Sequence, residues 1–276
     1  MTRPFAQVDV FGDGPMLGNP VAVVLDGSGL DDDAMRLLAR WTNLSETTFV
    51  LPAQSPAADY RVRIFTPQAE LPFAGHPTLG TCHAWLEHGG RPAADDVIVQ
   101  ECAAGLIPIR RIEPGLAFSA PPLVRSGPVE PALVTRIAAM LGIDAAEIVD
   151  SQWVDNGPGW VAVLLADAQA VLDLRPGTVD LDVGVVGAHE ADHDASFEVR
   201  AFFPVDGATR EDPVTGSLNA SLAGWLLSSG RATAPYTAAQ GTALHRRGRV
   251  HVSVDGDGAI WVAGTTSTAI AGTLEL

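Results

Sequence analysis

Cysteine is scarce: Cys82 and Cys102 are the only two in 276 residues. A lone pair in a chain this long builds no disulfide framework and predicts two reduced, partly buried thiols. Long apolar runs are missing as well. The opening Met1-Thr2-Arg3-Pro4-Phe5 leads straight into a strand-like run without the apolar stretch of a signal peptide, and no later stretch is long enough to span a bilayer. Cytoplasmic residence is the expectation. Positive charge is short too: 17 basic against 33 acidic residues leave a net charge of −16, which argues against nucleic acid or an anionic membrane as partner. An anionic substrate would need a local positive feature, such as a helix N-terminus, to overcome that field.

Several chemical signatures are also missing. No Gly-x-Gly-x-x-Gly lies between a strand and a helix, so there is no dinucleotide fingerprint. Gly216-Ser217-Leu218-Asn219 is not a nucleophile elbow, which weakens a Ser217–His76–Asp212 hydrolase. His83 and His88, and His189 and His193, are paired in sequence, but neither pair has a third ligand nearby, so no metal site is expected. What is left is acid/base chemistry that needs no cofactor.

Apolar residues are plentiful enough for a sizeable core. Strands are predicted at Gln7–Phe11, Pro20–Leu25, Phe49–Leu51, Tyr60–Phe65, Val97–Gln100, Leu106–Arg110 and Leu116–Phe118. A helix capped by Asp31–Asp33 carries Met35, Leu37, Leu38 and Trp41. The Pro/Gly-rich stretch around Ser126–Pro131 resembles a linker, followed by a helix at Pro131–Leu141 closed by Gly142. Further strands are expected at Trp160–Leu165, Glu198–Phe203, Val250–Val254 and Ile260–Gly264. Many short strands with few helices argue against a doubly wound parallel sheet.

One pattern occurs twice. Val62-Arg63-Ile64-Phe65-Thr66-Pro67 returns as Val199-Arg200-Ala201-Phe202-Phe203-Pro204, and Glu70-Leu71-Pro72-Phe73-Ala74-Gly75 is answered by Glu211-Asp212-Pro213-Val214-Thr215-Gly216. Each copy runs into a helix of small residues, Thr78–His88 and Leu218–Ser229, ended by Gly89 and Gly230. Gly80 and Ala84, and Ala220, Ser221, Ala223 and Gly224, suit helices closely surrounded by backbone. If the copies pack about a pseudo-twofold axis, two positive helix ends converge where they meet, a natural carboxylate site. A duplication whose helix starts are simply capped by Ser and Thr is the other reading.

Three polar residues stand out. Glu46, between a helix end and an apolar strand, is either a surface glutamate or a partly dry carboxyl suited to moving a proton. His76 is a general acid, a donor to substrate or a structural helix-end histidine. Asp212 orients a substrate amine or hydroxyl, or caps a turn. Glu46 lies outside both copies of the repeat.

Val8-Asp9-Val10-Phe11, Gly18-Asn19-Pro20-Val21-Ala22-Val23, Ser45-Glu46-Thr47-Thr48-Phe49, Phe65-Thr66-Pro67, Glu70-Leu71-Pro72-Phe73-Ala74-Gly75-His76-Pro77-Thr78 and Glu211-Asp212-Pro213-Val214-Thr215-Gly216-Ser217 resemble, in order and over most of the chain, the PhzF family of phenazine-biosynthesis-like isomerases. The resemblance implies the diaminopimelate epimerase fold: α+β, with two pseudo-symmetric lobes, each a mostly antiparallel barrel of strands around a central helix. Residues 1–118, completed by a C-terminal strand at 265–276, would form the first lobe and 119–264 the second. Where that epimerase carries its two catalytic thiols, this chain has Ala74 and Pro213, so a two-thiol racemase is excluded.

The resemblance further implies that Glu46 moves a proton within a small carboxylate or amino-acid-like substrate, of the dihydro-hydroxyanthranilate type. His76 and Asp212 would assist, Ser45, Gly75, Gly216 and Ser217 would line the site, and Asn19 is a further candidate. It also implies a homodimer. An epimerase- or lyase-type reaction on the same scaffold, or a ligand-binding homologue without turnover, are the alternatives. One segment departs from the family pattern: Gln240-Gly241 is present, but a later Gly-Arg-Pro-Ser is replaced by Gly248-Arg249-Val250-His251.

Overall fold

A computed structural model describes all 276 residues. In chain order the elements are β1 (Thr2–Val10), β2 (Asn19–Val24), α1 (Asp32–Thr42), β3 (Glu46–Leu51), β4 (Tyr60–Phe65), β5 (Glu70–Leu71), α2 (Gly75–Glu87), β6 (Val97–Cys102), β7 (Gly105–Ile112) and β8 (Gly115–Ser119). There follow β9 (Arg125–Pro128), α3 (Pro131–Leu141), β10 (Asp150–Asp155), β11 (Val161–Leu164), α4 (Ala168–Asp173), β12 (Val183–Ala188), β13 (Phe197–Val205), β14 (Ala208–Glu211) and α5 (Gly216–Ser228). The chain ends with β15 (Tyr236–Gln240), β16 (Gly248–Val254), β17 (Ile260–Gly264) and β18 (Thr266–Glu275). This is an α+β chain of two compact units: Met1–Ser119 with Ala263–Leu276, and Ala120–Val262.

In the first unit the strands pair in the order β18–β1–β2–β3–β4–β6–β7–β8, with β5 folded back on β4. Pairing is antiparallel except β2–β3, joined across α1, and β4–β6, joined across α2. Helix α2 packs against strands β1, β2, β3, β6, β8 and β18. Its residues are buried on all sides, as an unpatterned helix must be. At Gly80 even a Cβ would lie 2.3 Å from Val21 Cγ1, so strand and helix touch backbone to side chain there.

The second unit repeats this pairing. Its order is β9–β10–β11–β12–β13–β15–β16 with β14 folded on β13, and its parallel pairs are β11–β12 across α4 and β13–β15 across α5. Helix α5 is again buried all round, and a Cβ on Gly184 would strike Leu218 at 2.4 Å. The duplicated side chains make duplicated contacts. Arg63 grips Glu70 through Nε and Nη2, both at 2.7 Å, and Arg200 grips Glu211 the same way at 2.9 and 2.7 Å.

Some sequence expectations are corrected. Leu37 and Trp41 do not join the face of α1 that packs on the sheet; they are 62% and 77% exposed. Met35, Leu38 and Ala39 form the buried stripe, at the i, i+3, i+4 spacing that puts Leu37 and Trp41 elsewhere on the helix. The stretch read as a linker holds β9, which pairs with β10, because Pro128 at a strand's end costs no ladder bond to a second neighbour. The central helices begin three and two residues earlier than the reading from small residues, at Gly75 and Gly216. Strands β10, β12 and β15 and helix α4 were not anticipated. β12, Val183-Gly184-Val185-Val186-Gly187-Ala188, is flanked on both sides by strands and shows a buried run in place of alternation.

Candidate active site

Glu46 is the first residue of β3, directly after half-buried Ser45, and is not a surface side chain: it is 13% exposed. Its Oε2 lies 3.2 Å from Nε2 of His76, and both atoms are closed off from water. His76 occupies the second position of α2, next to buried Gly75, and its Nδ1 is 3.4 Å from the side-chain amide of Asn19, itself fully buried at the start of β2. Thus β2, β3 and α2 of the first unit bring together Asn19, Glu46 and His76. The N-cap of α2 is Ala74, which has no side-chain hydrogen bond to give, so the first N–H groups of the helix are not capped by a side chain.

Burial pushes His76 down to about 3, opposed by a hydrogen bond from the ring to the Pro20 carbonyl. The imidazole is therefore neutral near neutrality. The sign of the resulting pH effect follows from 6.5 as the unfolded value. Below 6.5 the unfolded chain binds a proton that folded His76 refuses, so this stabilisation is intact above 6.5 and is lost as pH falls toward 3. Urea unfolding across that window should show wild type losing stability relative to His76→Gln as the pH drops. A pH-independent difference would contradict the burial argument.

In the second unit Asp212 is buried, and its Oδ2 accepts from Thr215 Oγ1 at 2.7 Å, bracing the turn into α5. Gln240, fully buried, completes that brace: its Oε1 accepts from Thr215 N at 3.0 Å and Asn219 Nδ2 at 2.8 Å, and its Nε2 donates to Asp212 O at 3.2 Å. Gly241 follows with φ +92, where a Cβ would meet Pro213 O at 2.6 Å. Ser217, the residue after Gly216, accepts from Trp160 Nε1 at its Oγ (3.1 Å) and from Asn156 Nδ2 at its carbonyl (2.9 Å). Thr215, at the N-cap of α5, makes no side-chain bond to the first N–H groups of the helix, so neither central helix is a simple Ser/Thr-capped start.

Sequence reasoning missed the roles of Gln240, Asn156 and Trp160. The signal for the last two was Asp155, which clasps the N–H groups of Gly157 and Gly159 as Asp9 clasps those of Leu17 and Gly18. In the departing segment, Arg249 bonds Asp194 and His251 bonds Thr237, so those side chains are engaged locally. Both cysteines are free and buried, and burial pushes the Cys82 thiol up to about 12. His189 stacks on His193 with ring centres 3.7 Å apart and meets Glu198 at 3.1 Å, but no three His, Cys, Asp or Glu side chains are grouped to hold a metal. No helix is long and apolar enough to cross a membrane.

The fold is that of the PhzF proteins. A crystal structure of the Bacillus anthracis phenazine biosynthesis protein of the PhzF family matches with a TM-score of 0.83 at 24% identity, covering 100% of both chains. The phenazine biosynthesis-like (PhzC–PhzF) family model matches residues 8–273, and the chain belongs to that family. Among curated relatives, antisense-enhancing sequence 1 of Schizosaccharomyces pombe is 37% identical over 97% of each chain. The trans-2,3-dihydro-3-hydroxyanthranilate isomerase of Pseudomonas aeruginosa is 45% identical over 104 residues, 38% of this chain and 36% of that one.

Proposed function

We propose that the protein is an isomerase that moves a proton within a small carboxylate bearing an amine, of the dihydro-hydroxyanthranilate type, using its own side chains. Glu46 takes the proton and returns it, His76 assists as a neutral polar neighbour of its carboxyl, and Asp212 braces the start of α5. The observation that carries this reading is the buried Glu46–His76 contact at 3.2 Å. A carboxylate in such surroundings, beside an imidazole that burial keeps neutral, is the group there that can take a proton near neutral pH and return it.

Two further features support it. The uncapped start of α2, beside Glu46 and His76, offers backbone N–H groups to a substrate carboxylate in a chain whose net charge is otherwise −16. Family membership, with a relative named trans-2,3-dihydro-3-hydroxyanthranilate isomerase, supports a substrate of that type. The test is incubation with trans-2,3-dihydro-3-hydroxyanthranilate in deuterium oxide, followed by mass spectrometry. Conversion with label at the reprotonated carbon is expected; a compound that is bound but neither converted nor labelled would reduce the protein to a binder.

A further inference from the structure

The approach of Glu46 to His76 is held by buried hydroxyls of the first unit. Thr81 of α2 donates to Thr48 Oγ1 of β3 at 2.8 Å, and Thr48 donates to the Ala22 carbonyl of β2 at 3.3 Å. These bonds tie the helix to the two strands and so set the distance between carboxyl and ring. They do not set which ring nitrogen carries the hydrogen. A neutral imidazole has one N–H and one lone pair. With the hydrogen on Nε2 the ring donates to Glu46; with it on Nδ1, a lone pair faces the same oxygen and repels a carboxylate.

Asn19 decides between the two. Its side-chain nitrogen lies 3.4 Å from His76 Nδ1. An amide nitrogen has hydrogens to give and cannot accept, so the Nδ1 it faces is the bare nitrogen. Asn19 is 0% exposed and offers a ligand no surface. The turn before it is pinned: buried Asp9 accepts from Leu17 N and Gly18 N at 3.1 Å, and a Cβ on Gly18 would lie 2.1 Å from Val10 O. Asn19, the first residue of β2, is thereby held against the ring.

We propose that Asn19 is a positioning residue: by donating to Nδ1 of His76 it puts the imidazole hydrogen on Nε2, the nitrogen that faces Glu46. The role rests on the proposed isomerase reading and acts through His76, not on substrate. Burial keeps the ring neutral, and its place at the positive end of α2 works in the same sense, so a neighbour can set its tautomer but not its charge. The Nε2 hydrogen then has the Glu46 carboxylate and the Pro20 carbonyl as acceptors. A carboxylate tied at Oε2 is aimed before the proton arrives.

Nitrogen-15 NMR of histidine-labelled protein reads the tautomer without substrate, and the spectrum of His76→Gln identifies this ring among the seven histidines. Wild type should carry the hydrogen on Nε2. Asn19→Asp, of the same shape but able only to accept when ionised, should move it to Nδ1. With trans-2,3-dihydro-3-hydroxyanthranilate that variant should lose about tenfold in kcat, the worth of one hydrogen bond, while KM stays within a few-fold. Should Asn19→Asp fail to fold, Asn19→Ala, which leaves Nδ1 without its donor, should show a mixture of tautomers. A wild-type ring with its hydrogen on Nδ1, an Asn19→Ala ring still wholly in the Nε2 form, a switched ring with normal kcat, or a rise in KM alone each overturns the role. Absence of turnover by wild type overturns the isomerase reading, and the spectra still decide what Asn19 does to the ring.

Discussion

Glu46→Gln should lower kcat by about 10²–10⁴-fold, the range over which a positioned acid or base accelerates proton transfer. The substitution preserves length and shape at the start of β3 and leaves a polar partner for His76 Nε2, so binding of a substrate analogue should stay within a few-fold of wild type. What it removes is the ability to carry a proton near neutral pH, because an amide does not titrate there. His76 cannot substitute for it, since burial holds the ring at about 3 and a base that weak abstracts little. Loss of solvent deuterium incorporation should track the loss of kcat, whereas KM should move little. A Glu46→Gln protein with near-normal turnover would assign the proton transfer to another group and end the proposed mechanism. Loss of binding without a change in kcat would make Glu46 a ligand contact only.

The parts of this molecule that the sequence announced are those where local identity and structure coincide. Arg63 with Glu70 and Arg200 with Glu211 are written identically in both copies, and both become bidentate ion pairs. The boundaries of α3 were readable from Pro131 at its first turn and Gly142 in the left-handed conformation at its end. What stayed hidden depends on pairing between distant segments. Leu181-Asp182-Val183 shares nothing obvious with Ser45-Glu46-Thr47, and only the register against Phe202 and Phe65 reveals the correspondence. Glu46 therefore has a carboxyl counterpart in the second unit, contrary to the expectation of a residue without one. Strand β12 hid because burial on both faces erases alternation, and Trp41 misled because an apolar residue need not face the core.

Arg200→Ala should destabilise the protein by about 3–5 kcal/mol, the cost of removing one partner from a buried ion pair, whereas Arg63→Ala should cost about 1 kcal/mol or less. The two arginines make the same pair with the repeated glutamate, so the difference comes from their surroundings. Side-chain exposure is 6% for Arg200 and 12% for Glu211, against 18% and 31% for Arg63 and Glu70. Arg200 also donates through Nη1 to the carbonyls of Val171 at 3.1 Å and Leu174 at 3.0 Å, satisfying groups at the end of α4 that have no further helical turn to bond them. Its loss strands the Glu211 carboxylate and takes a donor from the Val171 carbonyl, while Leu174 O keeps Arg175 Nη1 at 2.8 Å. Arg63 instead divides its donors between Glu70 and the exposed Asp32, and water can replace it there. Urea unfolding followed by tryptophan fluorescence reads both variants, and four of the six tryptophans, Trp153, Trp160, Trp225 and Trp261, report on the unit that holds Arg200. Equal losses for the two variants would mean that the shared bidentate geometry, and not burial, sets the cost.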